Sequence, residues 1–432
     1  MNQLTLYSQT LISDDHIIVT LKVGFCLDNV KEFTQGVIDL IDTIGYGSSK
    51  RYTDEDIKLR EKYAIKVITY DEDINSYNAD NYSSKGLVQI GIPISVCTQE
   101  TGIPQIISTI MYPSVYAFIC EYKVIDIELP ENYLKYLPKP KYGLSIFEDK
   151  KLFQLGLILK PRSIIQEDLA NLIVYKASID GIDYIIDDEL TVSPPNWKFE
   201  DRISFVMSLI KTAKKETGKE VKYIANISGA YKNSIKLAKI AEKYGVHGVM
   251  VNAISMGYDV IQTLAKNKKF KPFIVANMLG RDLMTGGKDF LIAPHILSFF
   301  ARISGADVIY IGPFVGTVLS QKEQSSKFQR ALTDPISKKN KISESYAIMS
   351  GGITPKNIIE NKRIYSQYTM FSMGTSLCTH IEENVNVKIM LEIIQFILKK
   401  EEEKRIENID NLVLELAKQE KFLTTLKQIG WV

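Results

Sequence analysis

Three consecutive acids, Asp187, Asp188 and Glu189, close the strand-like run GIDYIIDDE over residues 181–189. In a strand, residues two apart share a face, so Ile186 and Asp188 point the same way while Glu189 begins the loop. Magnesium is commonly held by one or two carboxylates together with water and substrate oxygens, so Asp188 and Glu189 can supply a weak site. The aliphatic Ile186 stands where a further ligand would be expected. The same triplet can also solvate a loop or cap a helix. Lys160 ends another apolar run, QLGLILK. In a dry pocket its ammonium loses protons more readily through desolvation and can act as a base, with Arg162 two residues on. On a loop surface the two are solvated cations. SGG at 350–352 and SMG at 372–374 close two further apolar runs with small residues. Backbone N–H groups there can approach a phosphate; the alternative for the glycines is tight turns needing positive φ. His295, inside the helical run PHILSFFARI, and His16, in an amino-terminal loop, read as structural, and His380 is placed outside the site. No Ser-His-Asp or Cys-His order is favoured.

The elements that must position these groups form a regular series. Apolar strand candidates lie at 154–160, 182–187, 221–227, 247–253, 272–277, 307–312, 346–352 and 368–374, each followed by an amphipathic stretch of helical period. Eight buried parallel strands with crossover helices specify an α/β fold, the (β/α)8 TIM barrel, whose chemistry sits at the carboxyl ends of the strands. Those ends carry Lys160 and Arg162, the acidic triplet, Asn226, Asn252, Asn277, Tyr310, Ser350-Gly351-Gly352 and Ser372-Met373-Gly374. Ahead of the barrel, strand candidates at 17–23, 64–70, 87–92 and 123–129, with helical stretches at about 28–43 and 103–119, fit a small α+β domain. The expected division is an α+β domain over 1–137, a barrel over 138–395 with YLPKPKYG as linker, and a carboxyl-terminal helical extension over 396–432. In that extension Ile406, Ile409, Val413 and Leu416 fall at helical spacing beside a solvated charge run.

Among the chain's 432 residues, 53 are Lys or Arg and 51 Asp or Glu, a formal charge of +2 that gives no reason to expect nucleic acid or an anionic membrane as partner. The four cysteines, Cys26, Cys97, Cys120 and Cys378, show no CxxC spacing, against a zinc site or a disulfide scaffold. With no export leader and no long uncharged apolar run, the expected location is cytoplasmic.

Taken in order, LKPRS (159–163), GIDYIIDDE (181–189), YIANISG (223–229), VNAISMGYDVIQTLA (251–265), ISGADVIYIGPFVGT (303–317) and SGGI (350–353) resemble the large subunit of ribulose bisphosphate carboxylase. The chain looks most like the RuBisCO-like proteins, form IV of that family, which share the fold and do not fix carbon dioxide. The resemblance implies a ferredoxin-like amino-terminal domain before the barrel, a homodimer, and a small phosphorylated metabolite as ligand. The family pattern K-D-D-E at the second strand carries a lysine that is carbamylated to ligate magnesium; here that position is Ile186, so there is no carbamylated lysine and magnesium binding is weakened. Asp188 and Glu189 match the other two ligands, and Lys160 matches the lysine that abstracts or relays the enolisation proton, with Asn226 a second catalytic candidate. Ser350, Gly351 and Gly352 match the first phosphate site, and Ser372, Met373 and Gly374 a thinned form of its other half. Family positions are lost at Asn277 and Tyr310 (histidines), Met278 (an arginine) and Thr317 (the mobile-loop lysine). Asn277, Arg162 and Arg281 remain as candidate substrate contacts. Gln105 replaces an asparagine that reaches the partner's site. Two functions are expected from this pattern: proton transfer next to a carbonyl, or a non-catalytic paralogue that binds a metabolite or serves assembly.

Overall fold

A computed structural model describes residues 15–26, 32–46, 66–72, 83–98, 100–147, 153–160, 167–317, 320–336 and 342–432. Two compact units divide the chain. The first comprises 1–138, 280–304 and 335–342, the second 139–279, 305–334 and 343–432.

In the first unit, β1 (His16–Cys26), β2 (Lys66–Glu72), β3 (Ser83–Pro93) and β4 (Ile119–Glu128) form an antiparallel sheet in the order β4-β1-β3-β2. Helices Phe33–Tyr46 and Gly102–Met111 follow β1 and β3, so the β-α-β-β-α-β order is that of a ferredoxin-like split unit. Apolar residues of β1 alternate into the core, with Ile17, Val19, Leu21 and Val23 fully buried. A fifth strand joins from far along the chain: β10 (Phe290–Ile292) pairs parallel to β4, with Leu291 opposite Lys123. Residues 280–304, between two barrel strands in sequence, thus group with the amino-terminal sheet.

The second unit is a closed parallel barrel of β5 (Phe153–Ile158), β6 (Tyr184–Ile186), β7 (Lys222–Asn226), β8 (Gly248–Asn252), β9 (Phe273–Asn277), β11 (Val308–Tyr310), β12 (Tyr346–Met349) and β13 (Thr369–Met373). β9 pairs with β11, and β13 closes onto β5. The expected eight strands are these eight. Every residue of β5, β6, β8 and β9 is buried, because helices cover the outside and side chains fill the inside. The interior is packed to the point that Gly156 is obligatory: a Cβ there would lie 2.0 Å from the Tyr184 ring. At the amino ends of the strands, two buried acids tie backbone together. Asp183 accepts from Leu155 N at 2.9 Å, and Asp307 from Tyr142, Gly143 and Ile274 N at 2.6, 2.9 and 2.9 Å.

The charge run near residue 400 belongs to the end of helix Val387–Glu403, and two further helices follow, Ile409–Ala417 and Glu420–Gln428. Val413 and Leu416 are buried on helix Ile409–Ala417, whereas Ile406 lies in the connection before it. No helix among the described residues is long and apolar enough to cross a membrane.

Candidate active site

The acidic triplet splits into two roles because the chain leaves β6 and turns. Asp187 faces outward into the layer between barrel and helices. It accepts from Arg202 Nη2 at 3.0 Å, from the Tyr223 hydroxyl at 2.7 Å and from Asn226 N at 2.9 Å. Arg202 and Asp187 are both essentially inaccessible, so this carboxylate is structural. Asp188 turns to the other side. Its Oδ1 accepts from Leu190 N at 2.9 Å and its Oδ2 takes the ammonium of Lys160, which leaves the end of β5. Asp188 is fully buried and Lys160 and Glu189 are half-buried, so the ion pair sits at the rim of the cup.

Asn226, at the end of β7, spends its side chain on backbone. Its Nδ2 donates to the carbonyls of Asp188 and Glu189 at 3.1 and 2.8 Å, and its Oδ1 accepts from Ser228 N at 3.0 Å. It holds the turn that aims the two acids. Asn277 caps the end of β9 by accepting from Leu279 N at 2.7 Å.

Tyr310, read from sequence only as a lost histidine, is the hub of the cup. The side chains of Ser350 and Asn277 reach its hydroxyl, and the Glu189 and Asp188 carboxylates lie close enough to act on it. Burial first, and those carboxylates second, push the phenol far above the usual tyrosine range, so it stays protonated. Chemically it is a neutral hydrogen-bond donor between the acidic side of the cup and the seventh-strand turn. Nothing in the linear spacing marks this, because its partners come from three other strand ends.

At that turn Gly351 and Gly352 have φ of 102° and 77°, a region L side chains rarely adopt. Thr317 N donates to Gly351 O at 3.0 Å, so the described start of the sixth-strand loop rests on the turn. Ser372 is buried and shares a 2.7 Å hydrogen bond with Tyr184 beneath the cup, Met373 is buried, and Gly374 lies beside the aliphatic stem of Lys160. Cys378, just beyond, is buried with its thiol pushed up to about 11 by desolvation, so it is no nucleophile. Ile186 is fully buried, and Met278 is buried. Arg281 belongs to the first unit, where its guanidinium engages Asp282 at 3.2 Å. Gln105, in the same unit, donates to Thr109 at 3.4 Å. Arg162 lies outside the described residues. Within the second unit the structure therefore gathers Lys160, Asp188, Glu189, Asn226, Asn277, Tyr310, Ser350 and Gly374 in one cup.

A three-ligand magnesium centre does not fit these groups. Ile186 offers a hydrocarbon, and both Asp188 oxygens are engaged by Lys160 and Leu190 N. Among the described residues no group of three or more His, Cys, Asp or Glu is arranged to hold a metal ion.

A closed parallel barrel with a polar cup at the carboxyl ends of its strands defines a (β/α)8 protein of the kind that carries chemistry there. The family model for the ribulose bisphosphate carboxylase large chain, catalytic domain, matches residues 139–385. The chain is 28% identical to a ribulose bisphosphate carboxylase of Methanocaldococcus jannaschii over 68% of its own length and 72% of the relative's. It is 26% identical to the 2,3-diketo-5-methylthiopentyl-1-phosphate enolase of Geobacillus thermodenitrificans, again over 68% and 72%. The dimeric archaeal Rubisco of Hyperthermus butylicus has a similar fold, with a TM-score of 0.82 at 19% identity over 99% of both chains. The chain belongs to the ribulose bisphosphate carboxylase large-chain family. Relatives named 2,3-diketo-5-methylthiopentyl-1-phosphate enolase and ribulose bisphosphate carboxylase-like protein set it with the RuBisCO-like proteins of that family.

Proposed function

We propose that this chain is a non-carboxylating, enolase-type enzyme that moves a proton next to the carbonyl of a small, singly phosphorylated keto metabolite. The observation that carries this reading is the Lys160–Asp188 ion pair, joined through Tyr310 to the Ser350–Gly352 turn. Enolisation needs an acceptor for the carbon-bound proton and a donor for the oxygen that gains charge. In this reading Glu189 takes the proton from carbon, Lys160 relays a proton to the carbonyl oxygen, and the Tyr310 hydroxyl is a second, neutral donor to that oxygen. Asn226 is a positioning residue. Backbone N–H groups at Gly351, Gly352 and Gly374 receive the phosphate. The enolase named among the relatives supports the reaction class, and the loss of family residues at Ile186, Met278 and Thr317 supports the absence of carboxylation. A homodimer is part of the proposal, in keeping with the dimeric neighbour.

Proton NMR of candidate keto-sugar phosphates in heavy water tests it. The expected result is exchange at the carbon beside the carbonyl, abolished in Lys160→Met, with no labelled carbon dioxide fixed onto ribulose bisphosphate. Measurable binding without exchange would instead identify a non-catalytic metabolite-binding paralogue.

A further inference from the structure

The mismatch between these residues and a magnesium centre has a definite form. The position between the buried Asp188 carboxylate and the open cup is filled by a cation of the chain's own. Lys160 Nζ sits on Asp188 Oδ2, while Leu190 N pins Oδ1 and Asn226 pins the backbone behind it, so the carboxylate has no freedom to turn another oxygen outward. The stem of Lys160 runs beside Gly374, where a Cβ would stand at ordinary contact distance, 3.7 Å from Lys160 Cγ and Cε. Ile186, fully buried, removes the ligand and the negative charge that would favour a divalent ion over a monovalent one. What remains is two carboxylates and one ammonium, a net charge of −1 where an incoming dication would meet the ammonium at contact range.

We propose that the Lys160 ammonium is the resident cation of this site, standing in for the divalent metal, so that substrate binding and enolisation are independent of magnesium. The catalytic part rests on the enolase reading above. The cation part does not, since it concerns what Asp188 binds whether or not turnover occurs. A magnesium ion entering Asp188 would have to displace a charge-assisted hydrogen bond from a carboxylate that water does not reach. Removing the ammonium should therefore open the site to metal.

The test is a Mn2+ titration of the full chain, read by the EPR signal of free Mn2+, on wild type, Lys160→Met, Lys160→Gln, Asp188→Asn and Glu189→Gln. Circular dichroism and melting confirm that each variant is folded. Wild type is expected to show no sub-millimolar Mn2+ site that Asp188→Asn removes. Lys160→Met or Lys160→Gln, whichever folds, is expected to bind Mn2+ at least about tenfold more tightly, with the gain lost when Asp188→Asn is added. A sub-millimolar wild-type site abolished by Asp188→Asn, or a folded Lys160 variant with unchanged affinity, overturns the proposal. Because the readout is metal binding, a chain that behaves as expected here yet exchanges no substrate proton would sink only the enolase reading. Exchange that needs added magnesium would sink this one.

Discussion

Thr317 N donates to Gly351 O at 3.0 Å, so the loop that leaves the sixth barrel strand is bonded to the glycine turn that ends the seventh. That turn tolerates no side chain at its second glycine. Gly352 has φ of +77°, and a Cβ on it would stand 2.5 Å from Thr317 N and 2.8 Å from Thr317 Oγ1. Gly352→Ala should cost about 1–3 kcal/mol in stability from backbone strain alone. It should also weaken binding of inorganic phosphate. A melting curve and a calorimetric phosphate titration read the two effects; unchanged phosphate affinity in a destabilised variant would remove the turn from the proposed site.

Neighbouring acids should respond in opposite ways. Asp187→Asn breaks a buried pair with Arg202 and leaves an inaccessible guanidinium without its carboxylate, a change expected to cost about 3–5 kcal/mol. Asp188→Asn should shift the urea midpoint much less, because its partner Lys160 can reach water, and should abolish proton exchange. Equal destabilisation by both would mean that Asp188 is structural too.

Tyr310→Phe removes one hydroxyl from a hub shared with Ser350 and Asn277. Exchange is expected to fall about a hundredfold, the usual effect of deleting one donor to a developing oxyanion. The thermal midpoint should move only slightly, since one hydrogen bond is worth about 1 kcal/mol net. A variant with full exchange activity would leave Lys160 as the donor that matters.

The barrel should also lose stability in mild acid through His247. Burial first, and the nearby Lys222 second, lower this imidazole from 6.5 to about 4, while its Nδ1 accepts from Tyr223 N at 3.1 Å. Between those two values the unfolded chain holds a proton that the folded chain does not. The stabilisation is therefore fully present above about pH 6.5 and is lost as pH falls toward 4, up to about 3 kcal/mol in all. Urea midpoints measured across that window should fall with pH, and His247→Asn, which keeps an acceptor for Tyr223, should flatten the slope.

How much of this was legible in advance depended on the range of the interactions. Local patterning was enough for the eight barrel strands, because a strand buried on both faces must be a continuous apolar run and each such run here ends in small or polar residues. It was also enough to separate Ile186 from any metal role, since a hydrocarbon cannot donate a lone pair wherever it lies. It could not detect β10: three residues, FLI, carry no period, and their strand state comes only from pairing with Val124 and its neighbours more than 160 positions earlier. Nor could it place Ile406, whose helical spacing with Ile409 is broken by the end of helix Val387–Glu403.

The same division runs through the site. From sequence alone follow the barrel, the cup at its carboxyl ends and the candidates that line it, because side-chain chemistry and strand period are local properties. Only the folded chain decided that Asp187 faces Arg202 while Asp188 faces Lys160, that Asn226 serves backbone rather than substrate, and that Tyr310 is a centre rather than a loss. Each of those outcomes depends on which groups from distant strands meet within hydrogen-bond reach, and barrel closure, not sequence spacing, sets those distances.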